Sequence, residues 1–145
     1  MTVLVQQGDF DPAGILDGFG QGAGAIVTFT GLVRDLPDQT LRQLVIEHYP
    51  AMTEIALATI ESRARSRWKL TDCLILHRFG AMAPGERIMM VATAAPHRKD
   101  AFEAAAFLMD YLKSRAPFWK KEITDQGERW VDSRSEDEAA LDRWA

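Results

Sequence analysis

One cysteine and three histidines are all that the sequence offers of two residue types on which many metal and redox functions depend. The single thiol, Cys73, excludes an intrachain disulfide and a cysteine-rich metal site, and it fits a reducing cytoplasm. His48, His77 and His97 show no metal-ligand spacing, and no Ser-His-Asp arrangement can be argued. No apolar run approaches the roughly 20 residues that span a bilayer, and the start, MTVLVQQGDFDP, lacks the basic residues, apolar core and cleavage site of a signal peptide. Positive charge is not in excess either. With 17 Lys and Arg against 21 Asp and Glu, the net charge of -4 gives no blanket attraction to nucleic acid or to an anionic membrane, so basic residues must act by local clustering. Without internal repeats, low-complexity stretches or linkers, residues 1–145 are expected to form one domain.

What is present alternates between strand and helix signals. Thr2 to Gln7 predicts an edge strand, and Asp11-Pro12 supplies a cap and first-turn proline for a short helix. Gly18, Gly20, Gly22 and Gly24 follow as a flexible connector. Ala25 to Arg34 is apolar and β-branched. Leu41 to Tyr49 is a second strand with Leu44, Ile46 and His48 on one side, and the polar stretch between the two predicts a hairpin. Pro50 opens a helix whose stripe, Met52, Ile55, Ala56, Thr59, Ile60 and Arg63, should face a sheet. Leu70 to Phe79 and Arg87 to Ala95 are strands around a loop at Gly80 to Gly85. Phe118 to Thr124 and Arg129 to Asp132 make a hairpin, and the acidic tail from Glu136 either forms a terminal helix or orders against a partner. From Leu41 onward the order is that of a ferredoxin-like split βαβ, so the predicted class is α+β, a sandwich with additional β-hairpins.

The stretch from Pro96 to Glu122 carries the chemistry. Phe102, Ala105, Ala106, Met109 and Leu112 recur at helical spacing. At about 100° per residue, Lys113 falls within roughly 20° of the Phe102–Met109 line, which places an amine on the face expected to be buried. His97 and Arg98 stand at the helix start, where free N–H groups and the macrodipole favour an anion; a solvated first turn accounts for them equally well. Pro117 breaks the helix between Lys113 and Lys120, so a chain reversal can bring both amines to one pocket. A buried amine beside another cation is a proton acceptor or nucleophile at neutral pH. The plain alternative is a snorkelling Lys113 and a solvated Lys120. Arg34, where the first long strand meets its turn, offers a bidentate contact to phosphate or carboxylate. His48 and His77, lone histidines in apolar strands, read as core residues, and Cys73 reads as a buried, inert thiol.

Four segments, G-A-I-V-T-F-T-G-L-V-R at 24–34, E-H-Y-P-A-M at 47–52, H-R at 97–98 and M-D-Y-L-K-S-R-A-P-F-W-K-K-E at 109–122, together resemble the large, catalytic subunit of molybdopterin synthase. The resemblance runs from about residue 22 to Arg134 and is far more specific than any single motif. It implies an α/β hammerhead type of fold. It also implies a sulfurtransferase of molybdenum cofactor biosynthesis, in which a small ubiquitin-like subunit delivers sulfur as the thiocarboxylate of its C-terminal Gly-Gly to cyclic pyranopterin monophosphate, forming the dithiolene of molybdopterin. By similarity Lys113 and Lys120 are catalytic; Arg34, His97 and Arg98 hold the pterin phosphate, Lys121 and Glu122 line the same pocket, and Arg134 reaches in from a second protomer. Leu32 stands where some relatives carry a lysine. The family implies a homodimer of large subunits within a heterotetramer, in the cytoplasm, with no metal and no cofactor. A helix from 97 to 115 is roughly 27 Å long, so each pocket is expected to take His97 and Arg98 from one protomer and the lysines from the other. The rival is a non-enzymatic ferredoxin-like dimer that binds an anionic metabolite or a protein tail.

Overall fold

Eight strands divide into two sheets in the computed structural model, which describes residues 2–131 and 135–145. The chain runs β1 (Thr2–Gln6), α1 (Pro12–Leu16), β2 (Ala25–Leu32), β3 (Leu41–His48), α2 (Met52–Arg67), β4 (Asp72–Arg78), β5 (Gly80–Met82) and β6 (Arg87–Ala95). It continues through α3 (Arg98–Ser114), β7 (Phe118–Thr124), β8 (Gly127–Val131), α4 (Ser135–Ala140) and a closing 3-10 turn, Leu141–Trp144. One sheet has the order β1-β4-β6-β2, with β1 parallel to β4 and the other pairs antiparallel; the second, wholly antiparallel, has the order β5-β3-β7-β8.

The α+β class and the β7–β8 hairpin agree with the sequence, and the β3–β7 and β4–β6 pairs are those of a split βαβ unit. The expected hairpin between β2 and β3 does not form. β2 instead lies along β6, from Ala25 opposite Ala95 to Leu32 opposite Arg87, while β3 belongs to the other sheet. The polar link is a turn in its own right, closed by the Asp35 carboxylate, which accepts from the N–H groups of Leu36 and Leu41 at 2.7 and 3.1 Å. The predicted loop after β4 also holds a short strand, β5, whose Met82 pairs with Leu44.

β4 and β6 are buried on both faces, so residues 73–76 and 88–92 run apolar without alternation. Cys73, Ile75, Met89 and Val91 pack towards α2 and α3, and Leu74, Leu76, Met90 and Ala92 pack against Phe10, Ile15, Leu16 and Phe19. The helical faces differ from expectation by one residue. α3 buries Ala101, Ala104, Ala105, Phe107, Leu108 and Leu112, leaving Phe102 61% exposed. α2 buries Thr53, Leu57, Ile60 and Ala64, leaving Met52 and Ile55 outside. Lys113 therefore lies not on the core face of α3 but on the adjoining flank. The C-terminal residues fold back on α3: Trp144 packs edge-on against Trp68 and Phe107, and its indole N–H donates to Asp110 at 2.6 Å. No helix among the described residues is long and apolar enough to cross a membrane.

Candidate active site

Between residues of both sheets and the C-terminal end of α3, a cleft of about 670 Å³ opens. Its polar lining includes Arg34, Lys113, Lys120, Glu122, His77 and Asp137, and its apolar wall includes Leu44, Ile88, Met109 and Leu112. The local chain explains the convergence. α3 ends at Ser114, the Arg115 N–H closes the last turn on the Tyr111 carbonyl at 2.7 Å, and Pro117 prevents continuation. The chain then enters β7 at Phe118, which brings Lys120 back beside Lys113.

Strand alternation sorts the residues of β7. Lys120 and Glu122 face the cleft, whereas Lys121 points to the opposite side, where its ammonium lies 3.3 Å from Glu128 and 5.3 Å from the centre of the Trp130 ring. Glu122 is bonded to Arg129 across the hairpin. Arg34 reaches the cleft from just beyond β2. The backbone holds this approach: the Val33 N–H donates to the Glu86 carbonyl at 2.8 Å, and the Gly85 N–H donates to that of Val33 at 2.7 Å.

His97 and Arg98 are exposed at the other end of α3 and do not line the cleft of their own chain. A 17-residue helix separates them from the lysines by roughly 24 Å. Arg134 lies outside the described residues. Among the described residues, no cluster of three or more His, Cys, Asp or Glu side chains is arranged to hold a metal.

His77 is the residue that sequence reasoning read as plain core. It is only 5% exposed, yet it borders the cleft. Its ring stacks on Phe118, and its Nδ1 lies 2.8 Å from the Arg78 carbonyl. A carbonyl can only accept, so Nδ1 carries the proton and Nε2 keeps a lone pair. Burial first, and then the nearby Lys120 and Lys113 charges, push its pKa down to about 3, so the ring is neutral. The sequence signal for it is slight: His77 shares strand parity with Cys73 and Ile75, the residues facing the helices. Cys73 itself is fully buried, and burial pushes its thiol up to about 12. The acidic tail reaches the rim, where the Ser114 hydroxyl donates to the Asp137 carbonyl at 2.9 Å and Arg115 pairs with Glu138 at 2.9 Å.

The profile of a family described as "MoaE protein" matches residues 5–115. A molybdopterin synthase catalytic subunit of Cereibacter sphaeroides is 59% identical over 99% of this chain and 100% of that protein. The Escherichia coli protein of the same description is 52% identical over 83% of this chain and 81% of its own length. Among solved structures, a molybdopterin biosynthesis MoaE protein from Burkholderia ambifaria superposes with a TM-score of 0.82 at 48% identity, covering 100% of this chain and 99% of that one. A molybdopterin synthase from Staphylococcus aureus also gives 0.82, at 29% identity, covering 89% of this chain and 96% of that one.

Proposed function

The chain belongs to the MoaE protein family, and from that premise we propose that it acts as the catalytic subunit of a molybdopterin synthase. In this role it is a sulfurtransferase that converts cyclic pyranopterin monophosphate to molybdopterin. The sulfur arrives as the thiocarboxylate on the C-terminal Gly-Gly of a small ubiquitin-like subunit. The observation that carries the reading is the meeting of Lys113, Lys120 and Arg34 in one cleft. Both attack at the thiocarboxylate carbon and rearrangement beside a phosphate develop negative charge, and cations already in place stabilise it without reorganisation. Lys113 engages the carbonyl carbon or moves protons, Lys120 orients the substrate and the acyl tail, and Arg34 takes the phosphate. A buried thiol of such high pKa is no sulfur carrier, which fits delivery from outside the chain.

Residues 1–145 work in this proposal as one domain of a cytoplasmic homodimer, with a small subunit docked at each end to complete a heterotetramer. An exposed apolar face supports the dimer. Phe29 and Phe102 are 43% and 61% exposed around a shallow groove between β2, the outer strand of its sheet, and α3. A two-fold axis passing across α3 at this face sets the two α3 helices antiparallel, bringing His97 and Arg98 of each protomer beside its partner's lysines. Arg134 is assigned to the same shared pocket, and Lys121, turned away beside Glu128, is left to support β7 from behind.

The test is reconstitution. The purified chain is mixed with thiocarboxylated small subunit and cyclic pyranopterin monophosphate, and the dithiolene product is assayed. Binding of the pterin without formation of dithiolene would favour the non-enzymatic reading.

A further inference from the structure

The polar groups of the cleft are mostly donors or charges. Arg34, Lys113 and Lys120 are cations, the Glu122 carboxylate is bonded to Arg129, and the Ser114 hydroxyl is spent on the Asp137 carbonyl. His77 Nε2 differs from all of these. With Nδ1–H held by the Arg78 carbonyl, Nε2 is an uncharged acceptor on an almost buried ring bordering the cleft, and no described residue donates to it. Its direction is fixed twice, by the Nδ1 bond and by the stack on Phe118, two residues before Lys120.

We propose that His77 is a substrate-reading residue whose Nε2 accepts a hydrogen bond from a ring N–H of the heterocycle in the cleft, turning the ring so that its reacting carbons face Lys113 and Lys120. The inference rests on the proposed function, because a reduced pterin is rich in N–H donors. A neutral acceptor suits this place better than a carboxylate: it fixes the heterocycle without an anion that would ion-pair with Lys113 and Lys120 and tie up the side chains the chemistry uses. The cations grip the anionic end and His77 orients the other, so two contacts of different chemistry define one pose. Burial and the neighbouring ammonium groups keep the ring neutral under working conditions, which preserves the lone pair.

The test uses the assembled enzyme with its small subunit, and wild-type turnover is measured first. Absence of dithiolene there defeats the functional reading, and the proposal falls with it. Given turnover, His77→Phe keeps the stack and removes the acceptor, and its KM for the pterin is expected to rise roughly ten- to a hundredfold, with a smaller change in kcat. His77→Gln, which returns an acceptor near the Nε2 position, recovers much of that loss. Unchanged KM in His77→Phe overturns the proposal, as does an equal fall of kcat in both variants with KM unmoved, which would mark a packing role. Should neither variant fold, nitrogen NMR of the wild-type imidazole decides: saturating pterin shifts the Nε2 resonance in the direction of an accepted hydrogen bond, and an unmoved resonance refutes the assignment.

Discussion

His77 and Phe118 stack with ring centroids 3.7 Å apart and planes 17° from parallel, joining β4 of one sheet to β7 of the other. Burial of the imidazole ties the fold to pH. An unfolded His77 titrates near 6.5, whereas the folded ring holds off a proton down to about 3. Between those values the unfolded chain binds a proton that the folded chain lacks. Stability is therefore complete above about 6.5 and is lost as pH falls towards 3. The urea midpoint of the wild type should drop between about pH 7 and about pH 5, and His77→Phe should drop less. Equal drops would assign the acid sensitivity to other groups.

Gly24 carries a second prediction. A Cβ built there would stand 2.1 Å from the Pro96 carbonyl oxygen, a backbone atom that cannot step aside, while the Gly24 N–H donates to the Ala95 carbonyl at 3.0 Å. The last of the four alternating glycines is thus a point of close approach at the entry to α3, not free connector. Gly24→Ala should lower stability by about 2 kcal/mol or more, measured by urea unfolding. A midpoint within error of wild type would mean that the contact relaxes freely.

Cys73 should be chemically silent in the native state. Fully buried, with its thiol pushed up to about 12, it offers almost no thiolate at neutral pH. Alkylation by a maleimide, followed by mass spectrometry, should be negligible in buffer and complete in urea. Fast native labelling would contradict the packing described between β4 and α2.

The shared pocket can be tested by mixing two inactive variants. If His97 and Arg98 serve the partner's lysines, refolding Arg98→Ala together with Lys113→Ala yields mixed dimers with one intact pocket and one doubly altered pocket. About a quarter of wild-type activity should return at equal mixing. If each pocket is built from a single chain, no mixed dimer has an intact site, and activity stays absent.

Much of this was legible in local sequence, for reasons that also mark its limit. β6 and β7 have the bounds that their apolar and β-branched runs imply, and the break at Pro117 foretold that Lys113 and Lys120 could meet. Pairing was less legible. β2 and β6 are far apart in the chain, and a polar turn between two neighbouring strands looks like a hairpin unless the third strand is known. The helix faces slipped by one residue because Met52, Ile55 and Phe102 are apolar but exposed. The family resemblance puts Lys121 in the pocket with Lys120 and Glu122, but in this chain the pleat turns it to the other side of β7. His77 in an apolar strand looks like any core histidine until Phe118 and the two lysines are placed beside it.

The account stands most directly on Lys113. In a single-turnover assay with thiocarboxylated small subunit and cyclic pyranopterin monophosphate, Lys113→Ala should lose dithiolene formation by at least about a thousandfold. Circular dichroism and the elution volume of the assembly should stay those of wild type, since the side chain lies on the cleft flank of α3 and outside its buried face. Turnover within about tenfold of wild type in that folded variant would contradict the assignment of the chemistry to this lysine.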